Sequence, residues 1–315
     1  MRKRYLYIIV ATVVAALASA CMKDEADKPV ISFSPVASKA TKAIISGNDY
    51  PTGESFVVSA YHEGTDAYFE DLTASYNSTL HLWETSESQY WPLGGSLTFN
   101  AYSPAAANGV SIDASGITAS NYTIQNSTQM TTDLCYATAT VADCASHPDA
   151  VDLVFSHALT QVVFRVKAAS YKSAVSMSLN SLSLAGIYSV GDFNSASANK
   201  WSGQESAQTY TLSNSVTTLT YTGTTPDVID ICSYVYIPQE LGANAAISLS
   251  YSITQNVNST DYTLTTPITI PLGGAITEWE AGKKYIYTLN IGPDLITFSA
   301  SALGWTEVDH GIVVE

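Results

Sequence analysis

The chain has 315 residues, of which 46% are hydrophobic and only 13% are charged, and its formal net charge is −15. Such an excess of carboxylates repels phosphate backbones, so we expect no nucleic-acid partner. The length and hydrophobic fraction allow one large or two ordinary domains, and the abundance of Thr and Tyr favours strands over helices.

Residues 1–20 have the features of a secretory signal peptide. Basic residues 2–4 are followed by an apolar stretch, residues 6–17, which is too short to span a bilayer comfortably. The sequence LASAC at residues 17–21 resembles a bacterial lipobox, which implies cleavage before Cys21 and lipidation of its sulfur. An ordinary signal peptide with a chance cysteine is the alternative.

Residues 21–28 are interpreted as the lipidated cysteine and an acidic tether. Asp24, Glu25 and Asp27 lie directly after Cys21. Such a cluster resembles the surface-export signal of lipoproteins in some Gram-negative bacteria, and a merely solvated tether explains it equally well. We therefore expect a surface-exposed lipoprotein of the outer membrane, held by its acyl chains.

Alternating apolar residues predict β-strands through residues 29–157. The first predicted strand is Val30, Ile31, Ser32 and Phe33, and it ends at Pro35. Small residues around Lys39 and Lys42 follow; they have little to bury and are expected to be open to a trypsin-like protease. Further strands are predicted at residues 56–61, 68–72, 79–83 and 96–102, then a long loop with short strands at residues 103–132.

The stretch from Val151 to Lys167 predicts two consecutive strands. Apolar residues occupy every second position from Val151 to Phe155 and from Val162 to Val166, which gives each strand one core face. His157 lies in the polar hinge between them. We interpret it as a structural histidine whose ring nitrogens are hydrogen-bonded, since no second ligand or nucleophile is near it in sequence.

Residues 158–315 also favour strands, with prolines at strand ends, where a missing N–H is tolerated. Candidates are residues 175–184, 209–212, 216–221, 229–237, 247–254, 262–270, 284–291, 295–299 and 312–314. The two halves are similar in size, so we predict an all-β chain with two β-sandwiches in tandem, residues 29–157 and 158–315.

The remaining cysteines are Cys135, Cys144 and Cys232. Export permits disulfides, and Cys135–Cys144 is the most local candidate pair; buried free thiols are an equally good interpretation. Zinc is not expected, because paired Cys-x-x-Cys and nearby histidine pairs are missing. No HExxH, GxSxG or glycine-rich phosphate loop occurs, so we predict no catalytic residue, cofactor or metal.

Five tryptophans and 20 tyrosines offer an alternative function, a carbohydrate-binding surface lipoprotein. Trp201 is flanked by Asn199, Lys200 and Ser202 and is the best candidate for an exposed ring that contacts a glycan. The opposite interpretation, which we favour, is that the tryptophans are core residues or cross-strand pairs.

Six motifs in order resemble the fimbrillin family, the major-fimbria pilins of gut and oral anaerobes. They are SKATKA at 38–43, FVVSAY at 56–61, YWP at 90–92 with LTFNAYSP at 97–104, TDLCYA at 132–137, LVFSHALTQV at 153–162 and WEAGKKYIY at 279–287. The first is similar to the family's basic processing region, with Lys where the family often has Arg.

The resemblance implies two transthyretin-like Greek-key sandwiches and a fimbrial (pilus) subunit that serves adhesion. Family members are exported as lipoproteins and cut after a basic residue, here Lys39 or Lys42. The cut would free the chain from its lipid and remove the strand Val30–Phe33, whose groove a strand of the next subunit fills. The expected partners are other fimbrial subunits, outer-membrane lipid through Cys21, and a host glycan or protein receptor.

A polymerising subunit also needs a mobile donor strand, for which Val308–Glu315 is the candidate. If this tail is instead a fixed strand of the last sheet, the protein would be a tip or anchor component of a fimbria, or a surface lipoprotein that never polymerises.

Overall fold

A computed structural model of the chain describes residues 29–37, 50–125, 127, 129–146, 150–274, 276–292 and 296–305. Over these residues the backbone forms 22 strands and two short 3-10 turns, Gln129–Thr131 and Cys144–Ser146. The prediction of an all-β chain is confirmed. In this described part, no helix has the length and apolar character needed to cross a bilayer.

The strands of the first half follow the alternating apolar segments. β2 and β3 are joined by a turn in which Glu63 and Gly64 both have positive φ, 50° and 75°, a conformation that suits tight hairpins. The strands are Phe33–Ala37 (β1), Ser55–His62 (β2), Asp66–Asn77 (β3), Leu82–Thr85 (β4), Leu97–Ser103 (β5), Val110–Asp113 (β6), Gly116–Thr123 (β7), Cys135–Val141 (β8) and Val151–His157 (β9).

The second half contains the longest strands. They are Thr160–Ala168 (β10), Val175–Asn194 (β11), Trp201–Ser213 (β12), Thr217–Thr218 (β13), Tyr221–Thr222 (β14), Thr225–Pro226 (β15), Ile229–Tyr236 (β16), Gln239–Glu240 (β17), Ala246–Val257 (β18), Thr260–Pro271 (β19), Glu278–Trp279 (β20), Lys283–Ile291 (β21) and Thr297–Gly304 (β22).

Seven strands of the first half close into a barrel in the order β1-β4-β3-β2-β5-β8-β9. β1 closes it: it pairs in parallel with β9 from Phe33↔Val151 to Ala37↔Phe155 and meets β4 only at Phe33↔Trp83. The strand therefore begins later than predicted and runs through Pro35. Proline is tolerated there because β1 has only one continuous neighbour.

The second half forms two sheets that share one core. The smaller has the order β16-β10-β21-β22, and the larger has the order β19-β18-β11-β7-β6, with β12 and β13 also paired to β11. Phe164 and Tyr287 from the smaller sheet and Leu184 and Ile247 from the larger are all completely buried in this core. A sandwich-like packing of sheets is thus confirmed, whereas the transthyretin-like Greek-key topology stays a prediction.

The hairpin of β6 and β7 crosses from the first half of the sequence to the second sheet system. β7 pairs with β11 at Phe193↔Ala119 and Asn194↔Thr118, and Ile117 is buried in the second core. Residues 103–132 have no strong hydrophobic periodicity of their own. The position of β7 therefore depends on β11, a partner some 75 residues further along the chain.

The predicted strands of the central stretch, β9 and β10, are confirmed. Val151, Leu153 and Phe155 are buried, whereas Asp152 and Val154 are exposed. β9 lines the barrel core and β10 lies in the second core, so Ala158 and Leu159 carry the chain from one core to the other.

Candidate functional site

The segment of residues 29–37, which contains β1, is hydrogen-bonded on two sides. On one side, Ile31 N donates to Gln89 O (2.7 Å) and Trp91 N donates to Pro29 O (3.1 Å). On the other side, Val151 N donates to Ser32 O (2.8 Å) and the ladder with β9 continues to Ala37. The segment therefore satisfies backbone groups of two neighbours at once.

Its side chains fill the barrel core. Ile31 is 1% exposed and Phe33 is 0% exposed, while Val30 faces outward with 37% exposed. The Phe33 ring lies 5.9 Å from that of Phe56 and 5.6 Å from that of Phe99, both edge-on. Burying each such side chain contributes about 1.5–3 kcal/mol.

This geometry defines what loss of the segment would expose. Strand β9 and residues 89–91 would each lose their hydrogen-bonded neighbour, and an apolar slot lined by Phe56 and Phe99 would open. Unpaired strand edges beside an apolar slot are the requirements for binding an added strand. We call this location, the position occupied by residues 29–37, the seam.

Four further predicted features lie outside the described residues. They are the lipidation site Cys21, the processing sites Lys39 and Lys42, and the candidate donor strand Val308–Glu315.

The predicted disulfide between Cys135 and Cys144 is wrong. Both are buried free thiols, the interpretation that the sequence left open. Cys135 begins β8 and Cys144 follows its end, and the strand between them extends about 20 Å at 3.2–3.4 Å per residue. A disulfide requires Cα atoms within about 7 Å.

The prediction of Trp201 as an exposed glycan contact is also wrong, because Trp201 is only 2% exposed. It begins β12, pairs with Phe193 of β11, and donates its Nε1 hydrogen to Ala158 O at 2.6 Å. Its edge borders a polar cleft of about 510 Å³, but no ring face is open for a sugar. The other tryptophans, at residues 83, 91, 279 and 305, are at most 6% exposed, so the core interpretation is confirmed.

A buried polar cluster of Asp133, Cys135 and His157 lies where the barrel meets the second core. Pairing of β8 with β9 puts Cys135 opposite His157, and Asp133 precedes Cys135 by two residues on the same side of the chain. His157 Nδ1 is hydrogen-bonded to Asp133 Oδ2, and the Cys135 thiol donates to that oxygen at 3.2 Å. The indole of Trp305 stacks on the imidazole, with centroids 3.7 Å apart.

The sequence interpretation of His157 as a satisfied structural residue is only half right. Its Nδ1 is bonded, but within the described part of the chain its Nε2 and Asp133 Oδ1 are buried without a hydrogen-bond partner. The sequence offered one weak signal for the cluster, the Asp-x-Cys spacing at the start of a strand. His157 is 22 residues after Cys135 in sequence, and the two come together only because β8 pairs with β9.

The cluster is not arranged for nucleophilic catalysis. In a Cys-His-Asp triad the thiol and the carboxylate contact opposite ring nitrogens, whereas here the thiol lies 3.4 Å from Nδ1, the nitrogen that Asp133 also contacts. Burial, and secondarily the charge of Asp133, raise the pKa of the Cys135 thiol well above its ordinary value, which disfavours the reactive thiolate.

Comparison with known proteins gives a consistent assignment. A family model described as fimbrillin-like matches residues 41–305. No match was found among curated proteins.

Solved structures of the same fold include proteins from two Bacteroides species. A fimbrial protein from Bacteroides vulgatus is 15% identical with a TM-score of 0.61, and the alignment covers 87% of this chain and 99% of that one. A candidate cell adhesion protein from Bacteroides ovatus is 16% identical with a TM-score of 0.53, and the alignment covers 90% of this chain and 99% of that one. At these identities the likeness establishes the fold alone.

Proposed function

Because the chain belongs to the fimbrillin-like family, we propose that it is a fimbrial adhesion subunit that polymerises by strand exchange at the seam. Family membership supports a cell-surface location and association with other fimbrial subunits. The observation that carries the exchange step is the single short strand, β1, that closes the first barrel.

Export precedes assembly in this proposal. The signal peptide of residues 1–20 directs the chain out of the cytoplasm, and acyl chains on Cys21 hold it in the outer membrane. Acylation supplies about 0.8 kcal/mol for each buried CH₂, so two or three chains anchor a protein firmly.

A protease then cuts after Lys39 or Lys42. These residues lie between β1, which ends at Ala37, and β2, which begins at Ser55. A cut there leaves residues 29–37 attached to the barrel by noncovalent contacts alone and detaches the rest of the chain from the lipid.

Exchange replaces one strand with another of similar chemistry. The seam requires backbone groups that pair with β9 and alternate apolar side chains that replace Ile31 and Phe33. The donor in our proposal is Val308–Glu315 of a neighbouring subunit, in which Ile312, Val313 and Val314 supply apolar side chains. The incoming strand restores both the hydrogen bonds and the burial that the cut removes.

Limited trypsin digestion of the purified full-length chain tests the proposal. Loss of residues up to Lys39 or Lys42, measured by mass spectrometry, should be followed by filaments in electron micrographs and a ladder of boiling-resistant bands. A fully cut protein that stays a single band without filaments would contradict polymerisation and would favour the tip or anchor role.

Two variants make the test specific. The double variant Lys39→Gln, Lys42→Gln should remain uncut and monomeric. The matched control Lys167→Gln, Lys172→Gln removes two lysines from the second half and should assemble like the unmodified chain. A synthetic peptide of residues 29–37, added in excess during digestion, should compete for the seam and shorten the ladder.

Lipidation is tested separately. Cells that express the chain should incorporate labelled palmitate into it, and Cys21→Ser should abolish the label. Label that persists in the variant would remove the anchor from the proposal without affecting the strand exchange.

A further inference from the structure

The Asp133–Cys135–His157 cluster contains three kinds of metal-binding atom at one point. A carboxylate oxygen, a thiol sulfur and an imidazole nitrogen lie within 4.8 Å of one another, and all three residues are buried. We propose that this cluster binds one Zn²⁺ ion. The inference does not depend on strand exchange.

The spacing of the donor atoms suits a tetrahedral ion. Zinc binds nitrogen and oxygen at about 2.0–2.2 Å and sulfur at about 2.3 Å, which separates neighbouring ligand atoms by about 3.3–3.7 Å. The Cys135 sulfur lies 3.2 Å from Asp133 Oδ2 and 3.4 Å from His157 Nδ1. Asp133 Oδ2 and His157 Nδ1 are in direct hydrogen-bond contact, closer than two zinc ligands can lie, so the carboxylate would have to turn away from the ring to admit the ion.

A second observation points to a ligand at the same place. Asp133 Oδ1 and His157 Nε2 have no hydrogen-bond partner among the described residues, although their side chains are only 2% and 1% exposed. Burying an unpaired polar atom costs about 1–3 kcal/mol, so native proteins rarely leave two together. An ion bound by the carboxylate would offset that cost for Asp133 Oδ1, whereas His157 would bind the ion through Nδ1, the nitrogen that faces Asp133 and Cys135.

The ligand set selects the class of metal. Calcium and magnesium require six or more oxygen ligands, whereas one thiolate, one imidazole and one carboxylate suit zinc or a similar transition metal. When the Zn–S bond forms, the proton of the Cys135 thiol is released to solvent, so binding lowers the pH of an unbuffered solution.

Access and a fourth ligand come from an adjoining cavity. A space of about 280 Å³ is lined by all three cluster residues together with Tyr50 and Ser103. It gives the ion a route from solvent and room for a water molecule, which would complete four-coordination.

The position of the site predicts its effect on the fold. Cys135 begins β8 and His157 ends β9, so a shared ion would tie β9, which adjoins the seam, to its other neighbour β8. Trp305, which follows β22 at the far end of the chain, covers the imidazole. Zinc should therefore raise the melting temperature of the protein.

Titration of metal-free, full-length protein with Co²⁺ tests the proposal, because cobalt replaces zinc and is coloured. We expect one Co²⁺ per chain, visible bands of a tetrahedral site and a sulfur-to-cobalt charge-transfer band in the near ultraviolet. Stoichiometric Zn²⁺ should remove the colour. Cys135→Ser should lose the charge-transfer band, and His157→Gln should weaken binding by about tenfold or more.

Cys144→Ser is the matched control, since it removes another buried free thiol close in sequence to the first. It should keep the whole spectrum. Circular dichroism of each metal-free variant reports its folding. If Cys135→Ser is unfolded, Asp133→Asn takes its place, and protection of Cys135 from maleimide by Zn²⁺ is measured in the unmodified protein.

Two results would overturn the proposal. One is folded, unmodified protein that binds no Co²⁺ and whose Cys135 gains no protection from Zn²⁺. The other is a charge-transfer band that survives in Cys135→Ser, which would assign the metal to a different thiol. Neither result bears on filament formation, so the failure of this proposal is distinguishable from failure of strand exchange.

Discussion

The barrel of the first half and the larger sheet of the second half differ in how their edge strands are paired. The barrel closes completely, but its closing strand, β1, has only five residues and one continuous neighbour. The larger sheet of the second half stays open, and its edge strand β19 pairs with β18 along all twelve of its residues. Closure in the barrel therefore depends on a short strand with one continuous neighbour, whereas the edge strand of the open sheet is paired along its whole length.

The difference indicates where a new strand can enter. The edge of β19 is already open, so no strand has to leave before another could pair with it. However, Pro267 and Pro271 have no backbone N–H, so they interrupt the row of donors on the open side of β19 and protect that edge from pairing. At the seam the acceptor groups are hidden until β1 leaves. In the proposed assembly the barrel therefore accepts no strand before processing and accepts one after it, whereas the edge of the open sheet accepts none at either stage.

The largest expected effects on stability come from two phenylalanines in contact: Phe33, which lies in the seam, and Phe99 of β5, which lines it. Phe33→Ala and Phe99→Ala should each lower the free energy of unfolding of the uncut chain by about 3–5 kcal/mol, because both rings are fully buried. In assembled filaments only Phe99→Ala should weaken the barrel, since Phe33 leaves with β1. Urea unfolding of the chain and thermal dissociation of filaments measure the two effects.

Phe164→Ala is the control for this pair, because Phe164 is equally buried but lies in the second core. It should destabilise cut and uncut protein alike. If Phe33→Ala weakens filaments as much as Phe99→Ala does, β1 remains in the filament and the exchange is refuted.

Alkaline pH should also lower the stability of the chain, with a smaller effect to which two groups of the second half contribute. Burial raises the pKa of Cys232 from 9.0 to about 12, and it raises that of Tyr285 from 10.0 to about 12. The folded state holds these protons more tightly than the unfolded state. Their contribution to stability is therefore complete below pH 9 and is lost as the pH rises toward 12, by at most about 1.4 kcal/mol per pH unit for each group.

Cys232→Ala isolates one of these groups. Its urea-unfolding free energy should fall less steeply than that of the unmodified chain between pH 9 and 11, because one of the titrating protons is gone. Equal slopes for the unmodified chain and Cys232→Ala would show that the Cys232 thiol is not shifted.

The sequence was sufficient wherever a strand has one buried and one exposed face. The alternation around Val151–Phe155 predicted β9 correctly. The sequence was insufficient where pairing with a distant strand decides the structure. β11 continues ten residues past its predicted end at Leu184, because β12 pairs with it through three irregularities of register that break the period of two.

The same reason explains the errors at individual residues. Trp201 was the candidate for an exposed ring because its neighbours are polar, but it is the first residue of β12 and packs against Phe193. The Asp133–Cys135–His157 cluster depends on the register of two strands, which composition and spacing do not reveal. Burial of single residues and convergence of distant ones thus require the strand pairing to be known first.

The smallest expected effect on stability belongs to the protected edge. Pro267→Thr should change the free energy of unfolding by no more than about 0.5 kcal/mol, since residue 267 is on an edge strand. It should nevertheless promote pairing between chains, because it adds an N–H donor to the open side of β19, close to the exposed Tyr262 and Leu264. Sedimentation of the uncut protein should then reveal dimers, and Thr269→Ser, on the same strand, should reveal none. A strictly monomeric Pro267→Thr would mean that features other than proline protect this edge, and the contrast with the barrel would then rest on β1 alone.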